Sequence, residues 1–173
     1  MRFYSGFSLK EESVFFADHL CRSKYSVAGF SYGAIKAAAF ADESSERIDT
    51  LQLFSPAFFQ NKPEKFKRLQ MMAYKNDKHA YLDQFIRHCF APYDVSGELH
   101  HIDTKSSELD ELLNYTWEPE LLRRIADKGT HIKVYFGGDD KIIDAQSAKE
   151  FFKPYATVYF IKKANHFLRG SNE

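Results

Sequence analysis

The sequence predicts an α/β domain with about five mostly parallel strands flanked by helices. Two observations carry this prediction: short runs rich in aromatic and β-branched residues recur along the chain, and helix-favouring stretches separate them. Strands that alternate with helices are typical of a parallel sheet built from right-handed crossovers. The strand-like runs are residues 2–4, 25–28, 50–54, 132–136 and 157–161.

Helix signals lie between these runs. Residues 8–11 have the spacing of a capping box, which predicts an amphipathic helix reaching about Leu20. The alanine-rich stretch over residues 32–41 favours a second helix. Asp144 is a candidate N-cap for a helix that continues through Phe152.

The middle of the chain, between Phe58 and Gly129, breaks the alternation. It has no convincing strand, but an apolar stripe at helical spacing runs from Tyr81 to Phe90. We interpret this segment as a helical insertion of about residues 60–128 within a single domain of residues 1–173. The insertion either covers a site or packs as ordinary helices against one sheet face. Its other helical stretches contain Leu109, Leu112, Leu113, Pro119, Leu121, Leu122 and Ile125.

Composition narrows the classes of function. Hydrophobic residues make up 44% and charged residues 28%, which fits a folded globular chain. Lys+Arg and Asp+Glu both number 24, so the net charge predicts no global attraction to nucleic acid or to an anionic membrane. No apolar run approaches the ~20 residues of a membrane span, and the first residues do not resemble a signal peptide. With only Cys21 and Cys89 we expect reduced thiols and a cytoplasmic protein.

A Gly-x-Ser-x-Gly pattern lies at residues 29–33, between a predicted strand and a predicted helix. In a nucleophile elbow the serine occupies a sharp turn between these elements, at the positive end of the helix. Side chains at Gly29 and Gly33 would collide with the neighbouring strand and helix. The alternative is a glycine-rich turn with an inert serine, but the context favours Ser31 as a nucleophile.

A serine nucleophile needs a base and an orienting acid, and in this type of fold they follow the serine as Asp or Glu and then His. Asp139 and Asp140 follow the run at residues 132–136, and His166 follows the last run. Both loops emerge at the sheet edge that carries Ser31. The aspartates could instead only shape a glycine turn.

A metal site is a less favoured alternative, because the spacing of its candidate ligands matches no known motif. Those candidates are His79, His88, Cys89, His100 and His101.

On these motifs the sequence resembles the α/β-hydrolase family over nearly the whole chain. The resemblance implies a reduced α/β-hydrolase fold without the family's leading strands, with the insertion as a helical lid. Residues 137–142 resemble the family's acid loop, in which the catalytic aspartate stands three residues after a glycine. This register implies Asp140 rather than Asp139 as the acid, and residues 164–167 resemble the loop of the catalytic histidine.

Residues 3–7 resemble the family's oxyanion strand and loop, although Ser5-Gly6-Phe7 replaces the usual His-Gly dipeptide. The resemblance implies the backbone N–H groups of Tyr32 and Phe7 as oxyanion donors.

Residues 1–7 and 27–34, on so short a chain, are similar to the small BioV-type esterases of biotin synthesis. Those enzymes remove the methyl group from pimeloyl-acyl-carrier-protein methyl ester. The similarity implies a carboxylesterase that uses Ser31, Asp140 and His166, needs no metal or organic cofactor, and has an acyl carrier protein as its partner. Two alternatives stay open: a generic small-ester hydrolase or thioesterase with the same triad, and an inactive hydrolase fold that binds a ligand.

Charge is unevenly distributed along the insertion. Residues 60–90 contain seven Lys or Arg and three Asp or Glu. Residues 91–118 contain one Lys and seven Asp or Glu. Such a split usually marks a solvated helix face; the functional reading is that the basic half docks an acidic carrier protein beside the pocket mouth. The candidate docking residues are Lys62, Lys65, Arg68, Lys75 and Arg87. The acidic residues are Asp94, Glu98, Asp103, Glu108, Asp110, Glu111 and Glu118.

Overall fold

A five-stranded, entirely parallel sheet forms the centre of the protein, in a computed structural model that describes residues 1–93 and 99–170. The strands are β1 (Arg2–Tyr4), β2 (Leu9–Lys10), β3 (Ser26–Phe30), β4 (Thr50–Phe54), β5 (His100–His101), β6 (His131–Gly137) and β7 (Thr157–Ile161). The central sheet has the order β1-β3-β4-β6-β7, which confirms the five predicted strands, and β2 pairs with β5 in a separate antiparallel ribbon.

Within residues 1–93 and 99–170, six α-helices accompany the strands: α1 (Tyr32–Glu43), α2 (Glu64–Asn76), α3 (Lys78–Phe90), α4 (Ser106–Asn114), α5 (Pro119–Asp127) and α6 (Ala145–Phe152). Helices α1 and α5 pack against each other and against the sheet, and α6 packs against β6 and β7. Helix α2 packs against α3 and α4. Within the predicted insertion, α5 therefore lies with the helices that flank the sheet, while α2, α3 and α4 form a separate helical group.

The segment after β1 differs from the prediction of a helix reaching Leu20. It forms the short strand β2 and then a 3-10 helix over Glu12–Phe16. Ser8 and Glu11 have φ angles of 62° and 64°, so the predicted capping box cannot form. Pairing of β2 with β5 and the hydrogen bond from the Gly6 N–H to the Glu12 carboxyl hold this conformation, so tertiary contacts override the local helix signal.

Strands β3 and β4 form the buried middle of the sheet, as expected for parallel strands covered on both faces. Large side chains such as Phe30 and Phe54 are almost fully buried there. All five strands of the sheet are parallel, so their carboxyl ends meet at one edge, which positions the loops described next. In the part of the chain that the structure describes, no helix is long and apolar enough to cross a membrane.

Candidate active site

Ser31 occupies a sharp turn between β3 and α1, with φ 51° and ψ −113°. Its N–H donates to the carbonyl oxygen of Phe54 at 2.9 Å, which fixes the turn against β4. A Cβ on Gly29 would lie 2.3 Å from the carbonyl oxygen of Gly33, and a Cβ on Gly33 would lie 2.0 Å from that of Tyr4. Both glycines are therefore required by close backbone approaches, as the sequence pattern predicts.

The structure brings Ser31, His166 and Asp140 together in one hydrogen-bonded chain. His166 Nε2 lies 3.1 Å from Ser31 Oγ, and His166 Nδ1 lies 2.6 Å from Asp140 Oδ2. The side chains of His166 and Asp140 are fully buried, and Ser31 is 3% exposed. These three side chains are thus largely shielded from water. In this arrangement a histidine can take the serine proton while a carboxylate orients the imidazole.

The acid loop distinguishes its two aspartates. Asp140 Oδ1 accepts the N–H groups of Ile142 at 2.7 Å and Ile143 at 3.1 Å, which turns Oδ2 toward the imidazole. Asp139 instead accepts the hydroxyl of Tyr93. It is Asp140, the residue that the family resemblance implied, that contacts His166.

Two residues that the sequence analysis did not single out hold the histidine loop. The Ser55 hydroxyl donates to the carbonyl oxygen of His166 at 2.7 Å, from the end of β4. The Asn165 side chain donates to the carbonyl oxygen of Phe90 at 2.8 Å and accepts the N–H of Phe167 at 3.0 Å. Both are buried polar residues beside the sheet edge where the candidate catalytic residues meet. In the sequence, the only signal for them was that each lies next to the end of a predicted strand or next to His166.

The two predicted oxyanion donors flank the elbow. Tyr32 is the first residue of α1, and Phe7 lies in the loop after β1; within the described residues neither N–H has a hydrogen-bond acceptor. The ring of Phe7 packs edge-to-face against that of Tyr32, with centroids 6.4 Å apart. The Tyr32 hydroxyl donates to Glu111 of α4, and burial together with this carboxylate raises the pKa of Tyr32.

A narrow cavity of about 70 Å³ lies between the helical group and the sheet edge. Its wall includes Ile142, two residues after Asp140, and Phe7, whose ring contacts that of Tyr32 beside Ser31. Most of the wall is apolar, so it suits a hydrocarbon group. The remaining lining residues are Phe59, Phe66, Gln70, Tyr81, Phe85, Leu109, Leu112 and Leu113.

The candidate docking residues lie mainly on the outer face of α2. Lys65, Arg68, Lys75 and Arg87 are exposed, whereas Lys62 is half-buried with its Nζ 5.6 Å from the ring centroid of Phe66. In the acidic half, Asp103 pairs with Lys78, and Asp94 and Glu98 lie outside the described residues.

The candidate metal ligands make other contacts. His79 lies 3.3 Å from Asp83, and the His88 ring bonds to Gln84. Across residues 1–93 and 99–170 no group of three His, Cys, Asp or Glu is placed to hold a metal ion.

Neither a family model nor a curated protein matches the chain. Solved structures do match it. Naproxen esterase of Bacillus subtilis is 18% identical with a TM-score of 0.56, covering 83% of this chain and 53% of that one. BioG of Haemophilus influenzae is 12% identical with a TM-score of 0.57, covering 95% and 87%. E-2-(acetamidomethylene)succinate hydrolase is 13% identical with a TM-score of 0.58, covering 96% and 84%.

At these identities the likeness shows the fold. The chain has the α/β-hydrolase fold in a reduced form of 173 residues, with a five-stranded parallel sheet flanked by helices. It spans about half the length of the first structures that it matches, at 54% and 53% of those chains.

Proposed function

We propose that the protein is a cytoplasmic serine carboxylesterase that hydrolyses the methyl ester of pimeloyl-acyl carrier protein in biotin synthesis. One observation carries the esterase part of the proposal: the buried hydrogen-bonded chain from Asp140 through His166 to Ser31, at an elbow beside an apolar cavity. A serine hydroxyl so placed has its base within bonding distance and its acid oriented.

In the proposed acylation step, Ser31 Oγ attacks the ester carbonyl carbon while His166 Nε2 takes the hydroxyl proton. The N–H groups of Tyr32 and Phe7 donate to the oxyanion that forms, a type of interaction that stabilises the transition state strongly in a water-excluded site. The bond between the carbonyl carbon and the methoxy oxygen then breaks. His166 gives its proton to that oxygen, and methanol leaves.

In the proposed deacylation step, His166 takes a proton from water as the water oxygen attacks the acyl-enzyme carbonyl. The bond to Ser31 Oγ breaks, the proton returns to Oγ, and the free carboxylic acid is released. Asp140 holds the proton-bearing Nδ1 of His166 and stabilises the imidazolium in both steps. Apart from the ester and one water molecule, the scheme uses only groups of the protein.

One observation and one sequence resemblance support a carrier-bound acyl ester as the substrate. The cavity wall is built mainly from Phe, Leu and Ile side chains, which suit an unbranched methylene chain. Residues 1–7 and 27–34 resemble the small BioV-type esterases, which act on this ester. The likeness to BioG, over nearly all of both chains, supports the fold that this assignment requires.

Helix α2 supports the proposed docking of an acidic carrier. It contributes Phe66 and Gln70 from its half-buried side to the cavity wall, so the helix itself lies beside the cavity. Leu69 and Met72 are 51% and 60% exposed on this helix. They lie among its exposed cations, so the face is both basic and apolar. Complementary charge would orient the carrier and speed its encounter with the esterase.

The test of the proposed function compares wild type with Ser31→Ala on methyl pimeloyl-acyl carrier protein, with products read by mass. Wild type should release methanol and leave the thioester intact, and Ser31→Ala should lose on the order of 10⁶ in kcat while keeping its thermal stability. A fluorophosphonate probe should label wild type at Ser31 only. Cleavage of the thioester instead would favour a thioesterase, and labelling at another residue would overturn the assignment of the nucleophile.

The docking surface is tested by the charge reversal Lys65→Glu, Arg68→Glu and Lys75→Glu. Exposed charges are screened within about 8 Å at physiological salt, so kcat/KM on the carrier-bound ester should fall most at low salt. Hydrolysis of a nitrophenyl ester should be unchanged, because the charge reversal leaves Ser31, His166 and Asp140 in place. The matched control reverses three exposed cations outside α2. These are Arg22, Lys24 and Lys153. Equal losses in both triple variants would refute the docking surface and leave the esterase assignment standing.

A further inference from the structure

A buried carboxyl group lies under the loop that carries the proposed oxyanion donor Phe7. Glu12 is 1% exposed, and its Oε1 lies 2.6 Å from the backbone nitrogen of Gly6. Its second oxygen, Oε2, is buried without a hydrogen-bond partner in the part of the chain that the structure describes. Burial of a carboxyl group costs stability unless it is fully hydrogen-bonded. The position of Glu12 therefore points to a role other than stabilising the fold.

The Gly6 backbone is held on both sides. The Glu12 carboxyl accepts the N–H of Gly6, which fixes the peptide plane that precedes this glycine. The N–H of Leu9 donates to the carbonyl oxygen of Gly6 at 3.2 Å, which fixes the plane that follows it. A trans peptide is planar, so the N–H of Phe7 points away from the Gly6 carbonyl. The two hydrogen bonds together set the direction of the Phe7 N–H.

Without these two bonds Gly6 would be the most mobile point of the loop, because glycine has the widest choice of φ and ψ. The chain bends back to form them at some cost. Ser8 and Glu11 both have positive φ, and a non-glycine residue in that region costs about 1–3 kcal/mol. Strain on the segment that returns Glu12 to Gly6 is typical of a functional loop.

We propose that Glu12 is a positioning residue for the oxyanion hole, holding the Gly6 N–H so that the Phe7 N–H faces the developing oxyanion. The proposal rests on the proposed esterase function. Glu12 does not touch the substrate or the reacting atoms; it acts through Gly6.

The test compares Glu12→Ala with Glu12→Gln, whose amide oxygen can still accept the Gly6 N–H. Loss of an entire oxyanion donor costs about 10²–10³ in kcat, so misdirecting one in Glu12→Ala should lower kcat by about 10- to 100-fold, with KM within about twofold of wild type. Glu12→Gln should keep kcat within about threefold of wild type. The matched control is Glu11→Gln at the neighbouring glutamate, whose side chain is 70% exposed, and it should leave kcat unchanged.

A second measurement does not depend on activity. The Gly6 amide proton of ¹⁵N-labelled protein should resonate downfield in wild type and in Glu12→Gln, and should move upfield with faster hydrogen exchange in Glu12→Ala. If Glu12→Ala does not fold, Glu12→Asp replaces it, because the shorter side chain cannot hold the same bond.

The outcomes separate this proposal from the esterase assignment. A folded Glu12→Ala or Glu12→Asp protein with the kcat of wild type would overturn the positioning role alone, as would an equal loss of kcat in Glu12→Gln. A wild type without Ser31-dependent ester hydrolysis would overturn the proposed function, while the Gly6 amide signal would still report the hydrogen bond.

Discussion

Replacing Asp140 by Asn should disable the histidine without moving it. Asp140 Oδ1 accepts two backbone N–H groups, from Ile142 at 2.7 Å and Ile143 at 3.1 Å. The amide oxygen of the asparagine must take this place, because an NH₂ group there would face two donors. The NH₂ group is then directed at His166 Nδ1, so Nδ1 must accept a hydrogen bond and the ring proton moves to Nε2. Nε2 thereby loses the lone pair that would receive the proton of Ser31. In a related triad the same change costs about 10⁴ in kcat, which corresponds to about 5.4 kcal/mol.

The assay is steady-state hydrolysis of a nitrophenyl ester, with thermal unfolding measured in parallel. Asp140→Asn should unfold close to the wild-type temperature, since its size and its bonds to the two backbone N–H groups are kept. Asp139→Asn is the matched control: Asp139 accepts the Tyr93 hydroxyl and does not contact His166, so its kcat should stay within about tenfold of wild type. A greater loss in Asp139→Asn than in Asp140→Asn would refute the tautomer argument and the choice of acid.

Two further predictions concern the loop and the elbow. In Gly33→Ala the new Cβ would lie 2.0 Å from the carbonyl oxygen of Tyr4, so the substitution should lower the free energy of unfolding by about 3 kcal/mol, the upper end of the usual cost of overpacking, and also reduce kcat. Gly129→Ala, with φ 85° and open space around the new Cβ, should cost only about 1–2 kcal/mol and leave kcat unchanged in the same denaturant and kinetic assays. Burial raises the pKa of Glu12 above its usual value of 4.5, so the folded state keeps a proton that the unfolded chain loses. The free energy of unfolding should therefore fall as the pH rises from 4.5 toward the raised pKa, and Glu12→Gln should remove this fall. If the free energies of unfolding of wild type and Glu12→Gln change with pH in parallel, the prediction is wrong.

Much of the sheet edge was predictable because each step depends on local sequence or on a general property of parallel sheets. The elbow motif marks the end of one strand, and the acidic loop and the histidine loop mark the ends of two others. Parallel strands end at the same edge, so the motifs must converge there. The choice of Asp140 over Asp139 came from family resemblance alone. Both aspartates are adjacent in one tight loop, and only the backbone N–H groups of Ile142 and Ile143 decide which carboxylate turns toward the histidine.

The segment from Ser8 to Phe16 was not predictable by the same reasoning. Its capping-box spacing indicates a helix, but the conformation depends on two long-range features. One is the pairing of Leu9–Lys10 with His100–His101, two strands too short to show a periodicity. The other is the bond from Gly6 to Glu12, which puts a charged residue type where sequence patterns predict solvent exposure.

Ser55 shows how the histidine reaches its partners across the sheet. Neighbouring strands lie about 4.8 Å apart, and β4 separates β3 from β6, so Ser31 and Asp140 follow strand ends about 10 Å apart. An imidazole can join them only if it lies over the end of β4, although His166 follows β7 on the far side of β6. Ser55 is the first residue after β4. It is fully buried, and its hydroxyl donates to the backbone carbonyl of His166. The end of the middle strand thus holds the main chain of the histidine loop over the gap between the strands that carry the nucleophile and the acid.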